Sequence, residues 1–199
     1  MRLHILPLVF AASALFATDQ AERTVGSPNA PVTLEVWSDF QCPHCGVLHF
    51  GAIKQALGDC VASGKVRIVF RDYILPQHPF ARKAAQYADA ASRIGRYERV
   101  CDALFRTQEV WGRTGDVDGT VAKELTPVEM AKVRKILADP KSLGEINSEI
   151  EADMTLARKI PLESTPTMIL SGHGKKYPAI TDGGVRYDLL VRLIDTIAK

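Results

Sequence analysis

The first part of the chain has the pattern of a strand, a helix and a second strand. Residues 31–38 are β-branched and apolar, a pattern that predicts a buried strand. A helix is predicted from Pro43, because apolar side chains recur three and four positions apart as far as Val61, and Gly64 marks its end. Residues 65–75 then alternate apolar and charged side chains and predict a second strand. These elements form a βαβ unit, whose two strands are expected to be parallel.

A helical stretch separates this unit from the rest of the sheet. Apolar residues recur at helical spacing from Ala81 and again from Tyr97. The run Thr126-Pro127-Val128-Glu129 has the pattern of a capping box with proline at the first helical position, and a further helix is predicted after the Asp139-Pro140 break. Residues 76–160 are therefore predicted to form a helical insert.

One part of this insert is predicted to be irregular. Residues 111–120 contain three glycines and are expected to form a loop. Their run Asp116-Val117-Asp118-Gly119 resembles a fragment of a calcium-binding loop but lacks the downstream ligands, so we interpret it as part of the same loop.

Two short strands and a helix complete the pattern. Residues 167–170 and 176–180 predict strands joined by a glycine-rich hairpin turn, and residues 187–198 predict a helix. The order βαβ, helical insert, ββα is that of an α/β protein with a thioredoxin fold and a helical domain inserted after its second strand. The first part of the thioredoxin domain is predicted at residues 22–75 and the second part at residues 161–199.

Residues 1–21 have the features of a secretory signal peptide. A weakly positive start precedes an apolar run from Ile5 to Phe16, and small residues offer several cleavage sites. An uncleaved membrane anchor is the alternative, but the run is shorter than the roughly 20 apolar residues that span a bilayer. The polar residues 18–30 are expected to be a leader into the first strand. We therefore expect an exported protein, periplasmic or otherwise extracytoplasmic.

Charge and cysteine content refine this prediction. The chain has 199 residues, four cysteines and a net charge of +2 at pH 7. This near balance gives no sign of nucleic acid or an anionic membrane as a partner. Cys60 and Cys101 lie on the apolar faces of two predicted helices, so they are either buried free thiols or a structural disulfide that joins the insert to the core. Export favours the disulfide.

The other two cysteines carry the candidate chemistry. The run Cys42-Pro43-His44-Cys45 places two thiols three residues apart at the expected start of a helix. A helix N-terminus stabilises a thiolate through its partial positive charge and unpaired N–H groups. Such a pair can be a structural disulfide, half of a zinc site or a redox pair. His49, one helical turn further on, would extend it to a Cys-Cys-His metal cluster, although a redox pair needs no third ligand.

Three stretches of sequence together resemble the DsbA-like family of thiol:disulfide oxidoreductases. They are residues 26–34 ahead of and within the first strand, residues 38–45 with the Cys-Pro-His-Cys motif, and Ser164-Thr165-Pro166-Thr167 before a later strand. The resemblance extends over about residues 24–199.

The resemblance implies roles for the motif residues. Cys42 would be the nucleophile, Cys45 the resolving thiol, and Thr165-Pro166 a cis peptide bond that faces the active site and forms one wall of the substrate groove. No cofactor is expected beyond the redox-active Cys42–Cys45 disulfide, and no metal. The expected partners are reduced or misoxidised secreted proteins and a membrane quinone-linked reoxidase. We expect a dithiol oxidase; a reductase or isomerase, and a non-enzymatic metal-binding or chaperone module, remain alternatives.

Two further residues are candidates for tuning the pair. His44, when protonated or acting as a donor, would stabilise the Cys42 thiolate; the alternative is a spacer that faces solvent. Glu35 interrupts the apolar strand expected beneath the active-site helix, where a buried carboxylate would relay protons for Cys45, and the family often has Glu at the matching position. The alternative is that Glu35 faces solvent at a strand edge.

Overall fold

The computed structural model describes residues 23–160, 162–181 and 183–199. In these residues one mixed sheet contains β1 (Thr24–Val25), β2 (Val32–Ser38), β3 (Val66–Asp72), β4 (Thr167–Gly172) and β5 (Lys175–Lys176). The strand order is β1-β3-β2-β4-β5; β2 and β3 are parallel, and the other neighbours are antiparallel. The predicted leader thus contributes an edge strand, β1, that the sequence pattern did not reveal.

Helices surround this sheet in the predicted order. The connection from β2 to β3 begins as α1 (Pro43–Leu48) and continues through a π-helical turn (His49–Ile53), α2 (Lys54–Ala56) and a second π-helical turn (Leu57–Val61). Between β3 and β4 lie α3 (Ala81–Ser92), α4 (Tyr97–Arg106), α5 (Gln108–Thr114), α6 (Val117–Glu124), α7 (Pro127–Ala138) and α8 (Pro140–Lys159), and α9 (Tyr187–Ile197) follows β5. The prediction of a thioredoxin fold with a helical insert is confirmed.

The two faces of the sheet pack against different helices. Val36 of β2 and Met168 of β4 join a core with the 43–61 helical run and α9. Trp37, the next residue along β2, lies on the opposite face and packs with Ala157 of α8. Because side chains alternate across a strand, each residue of β2 serves only one of these two cores.

The predicted loop over residues 111–120 is wrong, because α5 and α6 occupy nearly all of it. Gly115 ends α5 with φ +73°, and Asp116 caps α6 by accepting a hydrogen bond from the Gly119 N–H at 2.8 Å. Trp111 of α5 is completely buried in the insert and donates its indole N–H to the Leu104 carbonyl at 2.7 Å. This burial outweighs the low helix propensity of the neighbouring glycines.

The start of α7 agrees with its sequence pattern, whereas the second strand of the predicted hairpin differs from it. The predicted capping box at the start of α7 is confirmed, since the Thr126 side chain accepts from the Glu129 N–H and the Glu129 carboxylate accepts from the Thr126 N–H. The strand predicted over 176–180 is shorter, because only Lys175–Lys176 pair as β5 and Ile180 rejoins the sheet as an isolated bridge. Pro178 lies between them and has no N–H to donate to the sheet.

The expected Cys60–Cys101 disulfide is absent from the structure. Both are free, buried thiols. Cys60 belongs to the core beneath the 43–61 run, whereas Cys101 belongs to the separate hydrophobic core of the insert. The helical pattern placed each correctly on an apolar face, where a thiol packs as a small apolar group.

A thiol count tests this arrangement. After oxidation of Cys42 and Cys45, denatured and unreduced protein should react with two equivalents of a thiol reagent, because Cys60 and Cys101 become exposed as free thiols. The same titration on a Cys60→Ala variant should give one equivalent. A count of zero on the unsubstituted protein would show that the disulfide forms.

The predicted signal peptide, residues 1–21, lies outside the described residues. Within the described part of the chain, every helix is too short or too polar to cross a membrane.

Candidate active site

The two motif cysteines lie where the chain leaves β2 and enters α1. Cys42 is the N-cap residue and Pro43 the first helical residue. The Cys42 N–H donates to the Asp39 carbonyl at 3.0 Å, and the Cys45 N–H donates to the Cys42 carbonyl at 3.1 Å. The side chains are buried, with Cys42 6% and Cys45 2% exposed. This hydrogen-bonded turn fixes the two sulfurs relative to each other.

Hydrogen bonds between the helical insert and this turn hold the turn in place, and each of them involves a glutamine side chain. Gln108 of α5 donates to the carbonyl of Cys42 at 3.0 Å and also to the carbonyl of Phe40. The Gln41 side chain accepts a hydrogen bond from the Phe80 N–H. All three hydrogen bonds end on atoms of residues 40–42, so the insert positions the cysteine turn as well as covering the sheet.

The environment of Cys42 favours its thiolate. The pKa of Cys42 is lowered to about 5, first by a hydrogen bond from the Cys45 thiol, then by the Thr165 side chain and the backbone N–H groups of Cys45 and His44, while burial opposes the shift. These N–H groups belong to the first turn of α1, where a helix stabilises anions. Cys42 is therefore mostly ionised at neutral pH when the pair is reduced.

The environment of Cys45 has the opposite effect. Burial raises the pKa of Cys45 well above that of a free thiol, and the neighbouring Cys42 raises it further by hydrogen bonding and charge repulsion. The side chain of Ser38 and the Asp39 N–H, 3.5 Å from the sulfur, oppose the shift only in part. The reduced pair therefore holds one thiolate and one thiol.

Thr165 and Pro166 face this pair from the loop before β4. Their peptide bond is cis, as the resemblance implies. The Cys42 thiol donates to the Thr165 carbonyl at 3.2 Å. A carbonyl stabilises only the protonated thiol, so the lowering of the Cys42 pKa by this residue comes from its hydroxyl. That hydroxyl is buried and has no hydrogen-bond partner among the described residues, so it is available to donate to the Cys42 thiolate.

His44 lies beside the pair with its side chain exposed to solvent. Its backbone N–H contributes to the lowered pKa of Cys42. A Cβ atom at Gly183 would lie 2.7 Å from the His44 carbonyl oxygen, so only glycine allows that loop to approach α1 so closely. The loop before α9 therefore packs against the main chain and Cβ of His44.

The predicted role of Glu35 in proton relay is wrong. Val36 faces the 43–61 run, so Glu35, the preceding residue, lies on the opposite face of β2. There its carboxylate accepts from Arg71 Nε at 2.7 Å and lies 3.7 Å from Lys176 Nζ. Glu35 is buried in an ion pair rather than exposed at an edge, and the sheet itself separates it from Cys45.

Sequence reasoning assigned no role to Asp39, the residue that follows β2. Asp39 is 1% exposed, and its carboxylate accepts hydrogen bonds from the Gln41 N–H at 2.7 Å, the Leu75 N–H at 2.8 Å and the His78 ring at 2.8 Å. It therefore joins the cysteine turn to the chain after β3. The only sequence signal was a polar residue at the end of an apolar strand.

His49, the alternative third metal ligand, has one ring nitrogen engaged by the insert. His49 Nε2 lies 2.6 Å from Asp102 of α4, inside the interface with the insert. Among the described residues, no group of three His, Cys, Asp or Glu side chains is arranged to bind a metal ion.

A thioredoxin sheet, a Cys-Pro-His-Cys turn at a helix N-terminus and a facing cis proline define the class of the thiol–disulfide oxidoreductases. The chain belongs to the thioredoxin family, whose model matches residues 18–195. This match confirms the thioredoxin part of the resemblance, and solved structures of DsbA proteins share the fold.

Three known proteins show the extent of the similarity. The Na(+)/H(+) antiporter NhaA 3 of Salinispora tropica is 30% identical over 148 residues, which are 74% of this chain and 21% of that protein. Disulfide bond formation protein D of Bacillus subtilis is 23% identical over 159 residues, 76% of this chain and 68% of that protein. The crystal structure of Wolbachia pipientis alpha-DsbA1 aligns with a TM-score of 0.69 and 20% identity over 88% of this chain and 90% of that one. The chain thus spans about a fifth of the antiporter's length.

Proposed function

We propose that the chain is an exported thiol:disulfide oxidoreductase that acts as a dithiol oxidase and forms disulfides in secreted proteins. A client thiolate attacks Cys42 Sγ in the Cys42–Cys45 disulfide, and the bond to Cys45 breaks. A second client thiolate then attacks the client sulfur of the mixed disulfide, and the electron pair leaves on Cys42 Sγ. The client gains a disulfide and the Cys42–Cys45 pair is reduced, so no other cofactor is required.

The observation that carries this proposal is the opposite shift of the two cysteine pKa values. A thiolate with a pKa of about 5 is a good leaving group, so Cys42 is readily displaced from the mixed disulfide. A reduced state stabilised in this way makes the disulfide oxidising. The buried, protonated Cys45 is the internal thiol that resolves a mixed disulfide when release of the client fails.

The proposed partners follow from the groove beside Cys42 and from the sequence of residues 1–21. The main chain of Thr165, beside Cys42, can pair with an extended client segment as an added strand, and Pro166 would form one wall of that groove. Main-chain pairing tolerates many sequences, as an enzyme with varied clients requires. The signal-peptide pattern of residues 1–21 supports export. Reoxidation by a membrane quinone-linked enzyme is part of the same proposal.

Equilibration with glutathione tests whether the protein is an oxidase. Reduced and oxidised protein are incubated in glutathione buffers, quenched in acid and counted by mass. We expect a reduction potential in the range from about −180 mV to about −120 mV, which is typical of oxidising members of the superfamily. A potential near −270 mV, as in thioredoxin, would instead support the reductase alternative.

Substitution of the two donors beside Cys42 tests what lowers its pKa. Thr165→Val removes the hydroxyl and keeps the shape, so the Cys42 pKa should rise by about one unit, equivalent to about 1.4 kcal/mol and a potential about 30 mV less oxidising. His44→Ala should shift both quantities in the same direction if the exposed imidazole also stabilises the thiolate. Thiolate absorbance during a pH titration measures the pKa. An unchanged Cys42 pKa in His44→Ala would show that His44 is a spacer. An unchanged Cys42 pKa in Thr165→Val would show that the hydroxyl does not stabilise the thiolate.

A further inference from the structure

A largely apolar cavity of about 220 Å³ lies between the 43–61 run and the insert, and the buried sulfur of the pair lines it. Cys45 and His49 both line this cavity. They are four residues apart in one helical run, a spacing that places two side chains on the same face with Cβ atoms about 5–6 Å apart. Among the residues that line this cavity, His49 therefore supplies an imidazole on the same helical face as Cys45. A cavity of this size also has room for a bridging water.

His49 is held by contacts with the insert. Its Nε2 lies 2.6 Å from Asp102 Oδ1, and its ring packs on Phe105 with centroids 4.9 Å apart. His49 itself is only 6% exposed. When Nε2 carries the proton that Asp102 accepts, Nδ1 is the unprotonated nitrogen and can accept a proton.

The same contacts connect this buried imidazole to solvent. Lys54 Nζ lies 2.9 Å from Asp102 Oδ2 and 2.6 Å from Glu98 Oε1. The exposed fraction rises along this line, from 7% for the His49 side chain to 21% for Asp102 and 53% for Glu98. A proton that reaches His49 can therefore leave through the Asp102 side of the ring.

Other charged or titratable groups surround this space from three elements. Cys45 and Lys54 belong to the helical run, Arg71 and Asp72 to β3, and Tyr97, Glu98, Cys101 and Asp102 to α4. Asp72 is a competing candidate, but its Oδ2 accepts a hydrogen bond from Arg23 Nη1 at 2.6 Å, so this carboxylate is already paired with a cation in a buried ion cluster.

We propose that His49, oriented by Asp102, accepts and returns the proton of the Cys45 thiol during disulfide exchange. Asp102 is a positioning residue in this scheme, since it acts through His49. The inference rests on the proposed function, because it concerns the step in which Cys45 reacts. Burial lowers the pKa of His49 although Asp102 opposes this shift, which leaves a neutral imidazole near pH 7.

The proposed step moves one proton and exchanges one disulfide bond for another. In a mixed disulfide between Cys42 and glutathione, the Cys45 S–H proton passes to His49, directly or through water, as Cys45 Sγ attacks Cys42 Sγ. The Cys42–Cys45 bond forms, the Cys42–glutathione bond breaks, and the electron pair leaves on the glutathione sulfur. In the reverse direction, protonated His49 returns the proton to the departing Cys45 thiolate.

Rapid mixing of reduced protein with glutathione disulfide, followed by acid quenching and mass measurement, resolves the two steps. The first step, attack by Cys42, depends on glutathione concentration, and the second, closure by Cys45, does not. His49→Gln keeps an amide donor for Asp102 but cannot titrate near neutral pH. We expect its closure rate at pH 7 to fall at least tenfold, and to increase in proportion to hydroxide, with the first step changed less than twofold.

Two further variants separate a proton relay from a structural role. In a plot of closure rate against pH, the rate should fall on the acid side as His49 becomes protonated. Asp102→Asn should move this fall to lower pH and reduce the plateau, because loss of the carboxylate lowers the pKa of His49. His173→Gln, the same change at an exposed histidine of the hairpin, should match the unsubstituted protein. The inference is overturned if His49→Gln keeps the original closure rate and pH profile, or if Asp72→Asn alone abolishes the fall of the closure rate at acid pH. A loss of the first step in the unsubstituted protein would contradict the proposed function instead.

Discussion

The Cys45→Ser variant is expected to remain covalently bound to its substrates through Cys42, whereas Cys42→Ser should lose exchange activity completely. Cys42 has the lowered pKa, lies against the cis-proline loop at Thr165 and is less deeply buried than Cys45, so it is the sulfur that attacks and is attacked. Cys45 resolves the mixed disulfide from inside the protein, where its effective concentration far exceeds that of any free thiol. Without it the mixed disulfide should persist for orders of magnitude longer.

Mass spectrometry and non-reducing electrophoresis measure this trapping. Each variant is mixed with a protein that contains a mispaired disulfide, and the complex is digested to locate the bond. Cys101→Ala is the matched control, because it removes an equally buried thiol outside the turn and should leave turnover unchanged. Complexes that form through Cys45 in the Cys42→Ser variant would reverse the assignment of the two cysteines.

Elements with local signals could be predicted from the sequence alone. The start of α1 at Pro43 and the capping box of α7 depend on residues within one turn, and both agree with the structure. The 111–120 segment failed because its glycines are local signals for a loop, while the burial of Trp111 is a tertiary effect. No pattern within a ten-residue window contains that information.

The error at Glu35 has a different cause, the register of β2. Glu35 and Val36 occupy opposite faces of the sheet, so a shift of one position decides whether a carboxylate lies beneath α1 or on the far side. Val36 occupies the face that the relay hypothesis assigned to a carboxylate, and this leaves the proton of Cys45 to another group.

A second set of contacts could not be predicted from the sequence, because it joins residues that are distant along the chain. Arg23, just before β1, is 1% exposed and lies among three carboxylates: 2.6 Å from Asp72, 3.1 Å from Asp153 and 3.6 Å from Asp89. Arg71 adds a second cation, 2.9 Å from Asp153. This buried cluster connects the edge strand β1 to β3, α3 and α8, and therefore joins the sheet to the insert.

The carboxylates of this cluster depend on the two arginines. Burial raises the pKa of Asp72 to about 6, and that of Asp89 well above its ordinary value, although Arg23 opposes both shifts. The unfolded pKa of Asp is about 3.9, so a raised folded value contributes stability that is complete below that pH and is lost as pH rises through about 6. Removal of Arg23 would raise these folded values further and enlarge the loss at neutral pH.

Arg23→Met should therefore destabilise the protein by about 3–5 kcal/mol at pH 7.5, because it leaves buried carboxylates without their cation. The loss should be smaller at pH 5, where Asp72 and Asp89 take up protons more readily. Urea unfolding at both pH values measures the free energy, with Trp37 and Trp111, both completely buried, as fluorescent reporters. A double variant, Arg23→Met with Asp72→Asn, should recover part of the loss, since it removes one of the uncompensated charges.

Arg134→Met is the matched control for this prediction. Arg134 pairs with Asp118 on the surface of the insert, where both side chains remain substantially exposed, so the same substitution should cost little stability and show little dependence on pH. The contrast between the two arginines compares a buried cluster of ion pairs with a single exposed pair, while the side chain introduced is the same in both variants. If Arg23→Met cost no more than Arg134→Met, or cost the same at both pH values, the cluster would contribute nothing to the union of sheet and insert.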